Sequence, residues 1–253
     1  MAILSILFFV TALIYALIGF GGGSTYNALL VLAGVDFHLL PTVALSCNLI
    51  VVSGGVWHHS RAGNMRPSIV LPFMLTSVPL AWIGGMLTLS ERTFVLILGA
   101  SLLLTGLRML TDRHGQSAAL PPPGNLVRWS VGLPVGGVLG LLAGMVGIGG
   151  GVFLAPILLG LRWGNAREVA GAASLFILVN SAAGLLGQTI KLTGSGQIGL
   201  LTDYLWLFPA VLIGGQIGSH LSAYHLPERL IRRLTAALVI YVAARLLWQW
   251  SAS

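Results

Sequence analysis

Gly147-Ile148-Gly149-Gly150-Gly151 and its counterpart Gly19-Phe20-Gly21-Gly22-Gly23 each interrupt an apolar stretch, and their reading decides the fold. Three adjacent glycines break a helix more than they pack one, because each costs about 1 kcal/mol relative to alanine in a helix interior. That is why a broken helix is preferred here to the alternative, small residues that let two helices approach closely. A break at membrane depth leaves backbone amides unpaired, and it is tolerated only inside protein or beside a water-filled cavity. The helices that restart near Ser24 and Val152 aim those amides, with the positive ends of their dipoles, at whatever lies at the midplane. This favours an anion.

The surrounding composition requires a membrane. Hydrophobic residues make up 56% of the 253, charged residues only 8%, and the mean hydropathy is +0.94. A water-soluble domain does not expose so little charge. Apolar runs near transmembrane length recur around residues 2–18, 41–57, 67–89, 92–108, 129–146, 168–190, 204–224 and 233–250. No Lys or Arg precedes the first run, as one does in a secretory signal, so it reads as a retained segment. Cys47 is the single cysteine and reads as a buried, inert thiol. The formal charge of +7 comes from Arg residues in short loops beside apolar segments. That placement is a topology signal and argues against a nucleic-acid partner.

The chain reads as an internal duplication. Gly21, Gly22 and Gly23 map to Gly149, Gly150 and Gly151 at an offset of 128, as Ser46 and Ser53 map to Ser174 and Ser181. Pro79, Gly84 and Gly85 map to Pro209, Gly214 and Gly215 at 130, and Glu91, Arg92 and Arg108 map to Glu228, Arg229 and Arg245 at 137. Two small loop insertions account for the steps. The organisation expected is a first membrane repeat over 1–111, a cytoplasmic linker over 112–128 containing Pro121-Pro122-Pro123, and a second membrane repeat over 129–253.

Charge sets the relation between the halves, since Lys and Arg accumulate in cytoplasmic loops. Loop 58–66 carries Arg61 and Arg66, and the central linker carries Arg113, whereas the turn at 90–92 sets Arg92 beside Glu91. In the second half the weights exchange. Loops 161–168 and 225–233 are basic, while Lys191 is offset by Asp203. Equivalent loops then lie on opposite sides, which closes only if residues 1–34 and 129–161 each enter the membrane and return. The fold class expected is an all-α polytopic membrane protein of two inverted-topology repeats. Each repeat is a broken, re-entrant helical hairpin plus three transmembrane helices. The arm 24–34 would be about 16 Å long at 1.5 Å per residue, too short for a comfortable crossing, so the tip stays inside the protein.

Candidate substrate-binding residues follow from the tips: Gly21, Gly22, Gly23, Ser24, Thr25 and Asn27 in the first, and Gly149, Gly150 and Gly151 in the second. Val152-Phe153-Leu154 replaces the polar residues after the second cluster, so the site is expected to be asymmetric in its side-chain donors. Ser46, Asn48, Ser174 and Asn180 are added from the following helices, for each of which a helix-to-helix hydrogen bond is as good a reading as substrate contact. Asn48 stands opposite Ser46 on its helix, so the two do not line one wall. Arg61 and Lys191 correspond at an offset of 130 and would draw anions to the two mouths, although a topology signal at a helix end explains each as well.

Absences narrow the chemistry. No Asp, Glu, Lys or Arg stands well inside an apolar run, which disfavours carboxylate-based proton or metal-cation transport. His58 and His59 lack a third ligand nearby, so no metal site and no cofactor are expected. No H-E-x-x-H, G-x-S-x-G or spaced carboxylate pair within the membrane suggests an enzyme. The partners expected are a small anion and the lipid bilayer, and a homo-oligomer stays open.

Gly147-Ile148-Gly149-Gly150-Gly151-Val152-Phe153-Leu154-Ala155-Pro156, its degenerate copy at Gly19–Gly23 and Ala172-Ala173-Ser174 resemble the TauE/SafE sulfite-exporter family, also called toluenesulfonate uptake permeases. The resemblance covers nearly the whole chain. It implies a multi-pass carrier of the bacterial cell inner membrane that moves sulfite, thiosulfate or an organosulfonate such as sulfoacetate. An inside-negative potential drives an anion outward by about 2.3 kcal/mol per charge per 100 mV, so export needs no coupled ion. Alternating access with hinges at Pro79 and Pro209 is the cycle expected. An anion channel and a proton- or sodium-coupled uptake permease are the alternatives.

Overall fold

The computed structural model describes residues 2–36, 38–87, 124–194 and 198–227, with scattered positions beyond. The apolar run at 92–108 and the linker up to residue 123 lie outside the described residues. Among those described the chain is all-helical: α1 Ala2–Ala16, α2 Gly23–Leu32, α3 Leu40–Arg61, α4 Pro67–Met86, α5 Asn125–Val146, α6 Gly151–Leu161, α7 Ala166–Gly194 and α8 Phe208–His220. A 3-10 segment, Ile198–Leu207, leads into α8, and a π turn, Leu221–His225, follows it. Helices α3, α4, α5 and α7 are long and apolar enough to cross a membrane, whereas α1 and α6 are shorter. At 1.5 Å per residue, the ten residues of α2 and the eleven of α6 reach only about 15–17 Å.

The boundaries follow from local chemistry. Pro41 and Pro67 sit in the first turns of α3 and α4, where a missing N–H costs nothing. Helix α7 opens on a reciprocal cap in which Glu168 N donates to Asn165 Oδ1 (2.9 Å) and Asn165 N donates to Glu168 Oε2 (3.0 Å). Gly147 ends α5 in the left-handed region (φ 74°). Pro209 falls in the first turn of α8, so it opens that helix from the 3-10 segment instead of bending it. Pro79 does lie inside its helix, α4.

Three packings set the architecture. Gly132, Gly136, Gly140 and Gly144 form a stripe along α5 that lies on α4, facing in turn Pro72, Phe73, Ser77 and Ala81, so the two helices run parallel. Gly214 and Gly218 of α8 face Phe9 and Leu13 of α1 in the same parallel sense. Helices α3 and α7 run antiparallel, with Gly184 near Leu45, Gly55 near Ser174, and Gly171 near His59. In a bilayer, where helices gain nothing from expelling water, such backbone-to-backbone approach supplies the dispersion contacts that hold them together. The first arm of each hairpin therefore packs against a helix of the other half, α1 on α8 and α5 on α4.

One end of the bundle collects the arginines. Arg66 Nε pairs with Glu168 Oε1 at 2.9 Å, Arg167 Nη2 donates to Leu226 O at 2.8 Å, Asn64 Nδ2 donates to Ala223 O at 3.2 Å, and Arg128 Nη1 donates to Ser68 O at 3.2 Å. These bonds gather the end of α3, the starts of α4, α5 and α7, and the turn after α8. Hairpin α5–α6 starts and finishes at this basic end. Hairpin α1–α2 starts and finishes at the other.

The α4–α5 seam has no room for a side chain, because a methyl on Gly144 would collide with the carbonyl of Ala81. Gly144→Ala is expected to destabilise the protein by about 1–3 kcal/mol. Gly160→Ala, where nothing among the described residues lies within 4 Å of the added carbon, should be neutral or gain up to about 1 kcal/mol. Thermal unfolding of the two purified variants checks this, and equal melting temperatures would contradict close packing of the seam.

Candidate functional site

The two breaks share much of their backbone hydrogen bonding at an offset of 128, although Gly149 is left-handed and Gly21 is not. Phe20 N donates to Tyr15 O, as Ile148 N does to Ala143 O. Thr25 N and Tyr26 N close the first turn of α2 on Gly22 O, as Phe153 N and Leu154 N close that of α6 on Gly150 O. Gly19 and Gly147, and again Gly22 and Gly150, adopt the left-handed conformation that glycine tolerates. Gly34 and Arg162 end α2 and α6 in that conformation too, at the same offset. Because an α-helix cannot pair its first amides internally, Gly23 and Ser24 on one side and Gly151 and Val152 on the other have no acceptor among the described residues.

Neither break reaches solvent, since residues 18–23 and 147–156 are all buried. The breaks are pressed against each other, and Ile18 and Phe20 pack into the apolar cluster that holds Ile148, Val152, Phe153 and Phe176. A Cβ on Gly23 would stand 2.7 Å from Gly147 O and 2.7 Å from Asn48 Nδ2. A Cβ on Gly149 would stand 3.2 Å from Asn48 Nδ2 and 2.8 Å from Ser181 Oγ, and one on Gly21 would overlap Asn48 Oδ1. Asn48 thus lies between the two glycine runs. It is 0% exposed, and neither Nδ2 nor Oδ1 has a hydrogen-bond partner among the described residues. Ser181 Oγ, beside Gly149, is likewise buried and unpaired. Each such group costs about 1–3 kcal/mol if left unmatched, so a fully buried pair on one amide calls for an explanation beyond packing.

The other residues singled out from the sequence sit as follows. Asn27 Nδ2 donates to Val146 O at 2.8 Å, so the first hairpin satisfies a carbonyl at the end of α5, just before the second break. Ser24 and Thr25 turn their hydroxyls to Tyr15 OH at 3.3 and 2.7 Å. Ser174 Oγ lies 3.0 Å from both Gly19 O and Ala170 O, tying α7 to the first break. Ser46 Oγ donates to Thr42 O, one turn back in its own helix. Asn180 Nδ2 donates to Phe176 O, and its Oδ1 is buried and unpaired. Gly22 lies beside the ring of Tyr26, and Gly150 beside that of Phe176. Gly151 faces Ile177. Arg61 is exposed with its guanidinium 4.3 Å over the Trp57 ring, and Lys191 is half-buried near the end of α7.

Four side chains stand closer to the breaks than sequence spacing alone suggests. Tyr15 anchors the hydroxyls of α2, and Tyr26 stacks on Phe8 (4.7 Å between centroids) with its own hydroxyl buried. Gln188 Nε2 donates to Gly144 O at 3.2 Å, just before the second break. Ser181, the counterpart of Ser53, is buried at Gly149, whereas Ser53 is exposed and bonded to Ile50 O. Equal spacing put the two serines on equivalent faces, but only one of those faces turns inward. Among the described residues no group of His, Cys, Asp or Glu is arranged to hold a metal ion.

Broken helices whose N-termini meet at a buried polar side chain, within a bundle of apolar spanning helices, are the architecture of a membrane carrier. The comparison with known proteins agrees. A family model, Sulfite exporter TauE/SafE, matches residues 4–246. The chain is 32% identical over 246 residues, with 97% of each chain covered, to the probable membrane transporter protein y4hK of Sinorhizobium fredii. It is 24% identical over 274 residues, covering 98% of this chain and 97% of the relative, to the probable membrane transporter protein YunE of Bacillus subtilis. No solved structure matches. The chain belongs to the TauE/SafE sulfite exporter family, and is a multi-pass membrane transporter, not an enzyme.

An amide kept for a ligand and not for the fold can be replaced by an isostere at no cost in stability. Asn48→Leu removes two unmatched polar atoms and is expected to melt at or above the temperature of the parent protein. A loss of more than about 2 kcal/mol would show that Asn48 is bonded within the fold.

Proposed function

We propose that the protein exports small sulfur-containing anions, sulfite, thiosulfate or an organosulfonate such as sulfoacetate, across the bacterial inner membrane. The anion is held between the first amides of α2 and α6 with Asn48 Nδ2 as a further donor. The observation that carries this reading is Asn48 itself, fully buried, without a partner at either amide atom among the described residues and flanked by both glycine breaks. Two helix N-termini, each equivalent to roughly half a positive charge, supply the attraction. Formal cations are not needed there, and in the described spans every Arg, Lys and Glu falls in a first or last turn. That distribution offers no mid-span carboxylate for a coupled proton, whereas outward movement of an anion is driven by about 2.3 kcal/mol per charge per 100 mV of inside-negative potential.

The gathering of Arg66, Arg128 and Arg167 at one end supports placing that end in the cytoplasm. Helix pairs α1–α8 and α4–α5, each joining a hairpin arm to a helix of the other half in the same parallel sense, support inverted repeats. Complete burial of Asn48 favours a carrier over a channel, because a conducting pore keeps its filter open to water on one side at least. Alternating access then requires one end of the interface around the breaks to open at a time.

Two measurements test this. Sulfite, thiosulfate or sulfoacetate at a hundred times its Kd should raise unfolding stability by about 2.7 kcal/mol, and Asn48→Leu should abolish that gain while remaining folded. Stabilisation unchanged in the variant would remove Asn48 from the site. In a Cys47→Ala background, single cysteines at Ala62 and Thr193 should label from opposite sides of intact cells. Labelling from the same side would rule out the proposed topology.

A further inference from the structure

The face of α3 that holds Asn48 continues through Val52 and Gly55 to His59, at spacings of four, seven and eleven, so all four share one side of the helix. The opposing face of α7 carries Ser181, Ser174, Gly171 and Arg167, and the two faces meet at Gly55–Ser174 and Gly171–His59, where an added Cβ would stand 2.7 and 3.2 Å from the facing side chain. This seam runs from the buried amide to the basic end. Where it arrives, His59 and Ser222 are 0% exposed, and among the described residues neither His59 ring nitrogen, the Ser222 hydroxyl nor the buried Arg167 Nε has a hydrogen-bond partner. Arg167 is within electrostatic reach of His59. The turn carrying Ser222 is fastened just after it, through Asn64 Nδ2 to Ala223 O and Arg167 Nη2 to Leu226 O. Asn64 N in turn donates to His59 O at 2.9 Å.

We propose that these three side chains form a second anion station, at the cytoplasmic end of the α3–α7 seam, where a small oxyanion is held before or after it occupies the place beside Asn48. An Arg Nε–H, an imidazole N–H and a hydroxyl are a donor set suited to an oxyanion. The competing occupant is a lone ordered water, which can accept from Arg167 Nε and donate to His59 and Ser222 Oγ. The polar lining between the stations, Ser174 and Ser181 on α7, continues along one stripe, and Ser174 also holds Gly19 of the first break. Opening of the seam would therefore connect the outer station to the inner one and move the first break with it.

This inference rests on the reading of the chain as an anion carrier, and the test separates the two. Sulfite is titrated calorimetrically into the full-length protein in lipid nanodiscs, for the parent, Asn48→Leu, Arg167→Gln and Ser222→Ala. Two equivalents are expected for the parent and one for Asn48→Leu. For Arg167→Gln one equivalent should be lost or weakened about tenfold or more, and Ser222→Ala should weaken the same equivalent while melting like the parent. Loss of an equivalent in Arg167→Gln with none in Asn48→Leu would uphold the outer station and remove the inner one. A single equivalent in the parent, untouched by Arg167→Gln and Ser222→Ala, would mean a water-filled seam and overturn the outer station. No binding of sulfite, thiosulfate or sulfoacetate by the parent would overturn both.

Discussion

Everything in this fold follows from what a bilayer does to an unpaired peptide amide. Water satisfies the ends of a helix in a soluble protein, but lipid offers no acceptor, and each orphaned group there costs several kcal/mol. Ending two helices within a membrane protein is therefore sustainable only where the surrounding chain screens both ends. Here the breaks screen each other. Gly23 abuts Gly147, Asn27 reaches the carbonyl of Val146, and Ser174 reaches that of Gly19. The carbonyls of the two broken ends are thus largely matched by side chains, while the amides that restart the helices have no acceptor among the described residues and Asn48 lies against Gly21, Gly23 and Gly149. On the proposed function, that imbalance would draw a negative charge to the centre with no formal cation at mid-span among the described residues.

Such crossing demands short distances throughout. Hairpins can interlock only if their outer arms lie flush against long helices, and glycine stripes on α5 and α8 allow α4 and α1 to approach to backbone contact. Between those two seams lies the antiparallel α3–α7 contact, where Leu45 meets Gly184, Gly55 meets Ser174 and His59 meets Gly171. A transport cycle that keeps α1–α8 and α4–α5 as units and parts α3 from α7 would expose the amides to one side without unpacking either hairpin.

Much of this was legible in the sequence, and the reason is that glycine in triplets has few structural uses. The breaks, the short return arms and the offset of 128 are present in the structure, down to matching hydrogen bonds at Phe20 and Ile148. Less visible was which side chains face inward. Ser53 and Ser181 are equivalent by spacing, yet one is exposed and the other buried, since helix rotation is set by neighbours that spacing does not reveal. Ser24 and Thr25 read from the sequence as donors to a ligand, and the structure adds Tyr15 OH within reach of both hydroxyls. Gly132, Gly136, Gly140 and Gly144 carry a plain four-residue period, and they are the residues for which close helix approach, set aside at the triplets, is the right explanation. Pro209 illustrates a different limit, because a proline marks either a bend or a helix start, and only the preceding 3-10 segment tells which.

The most direct test is a structure of the protein in a lipid nanodisc with sulfite bound, at a resolution that places individual oxygens. Density for the anion within hydrogen-bonding distance of the amides of Gly23 and Gly151, with Asn48 Nδ2 donating to it, is the expected result. Sulfite bound only at the surface arginines, with both glycine breaks and Asn48 bonded solely to protein or water, would contradict recognition by helix ends.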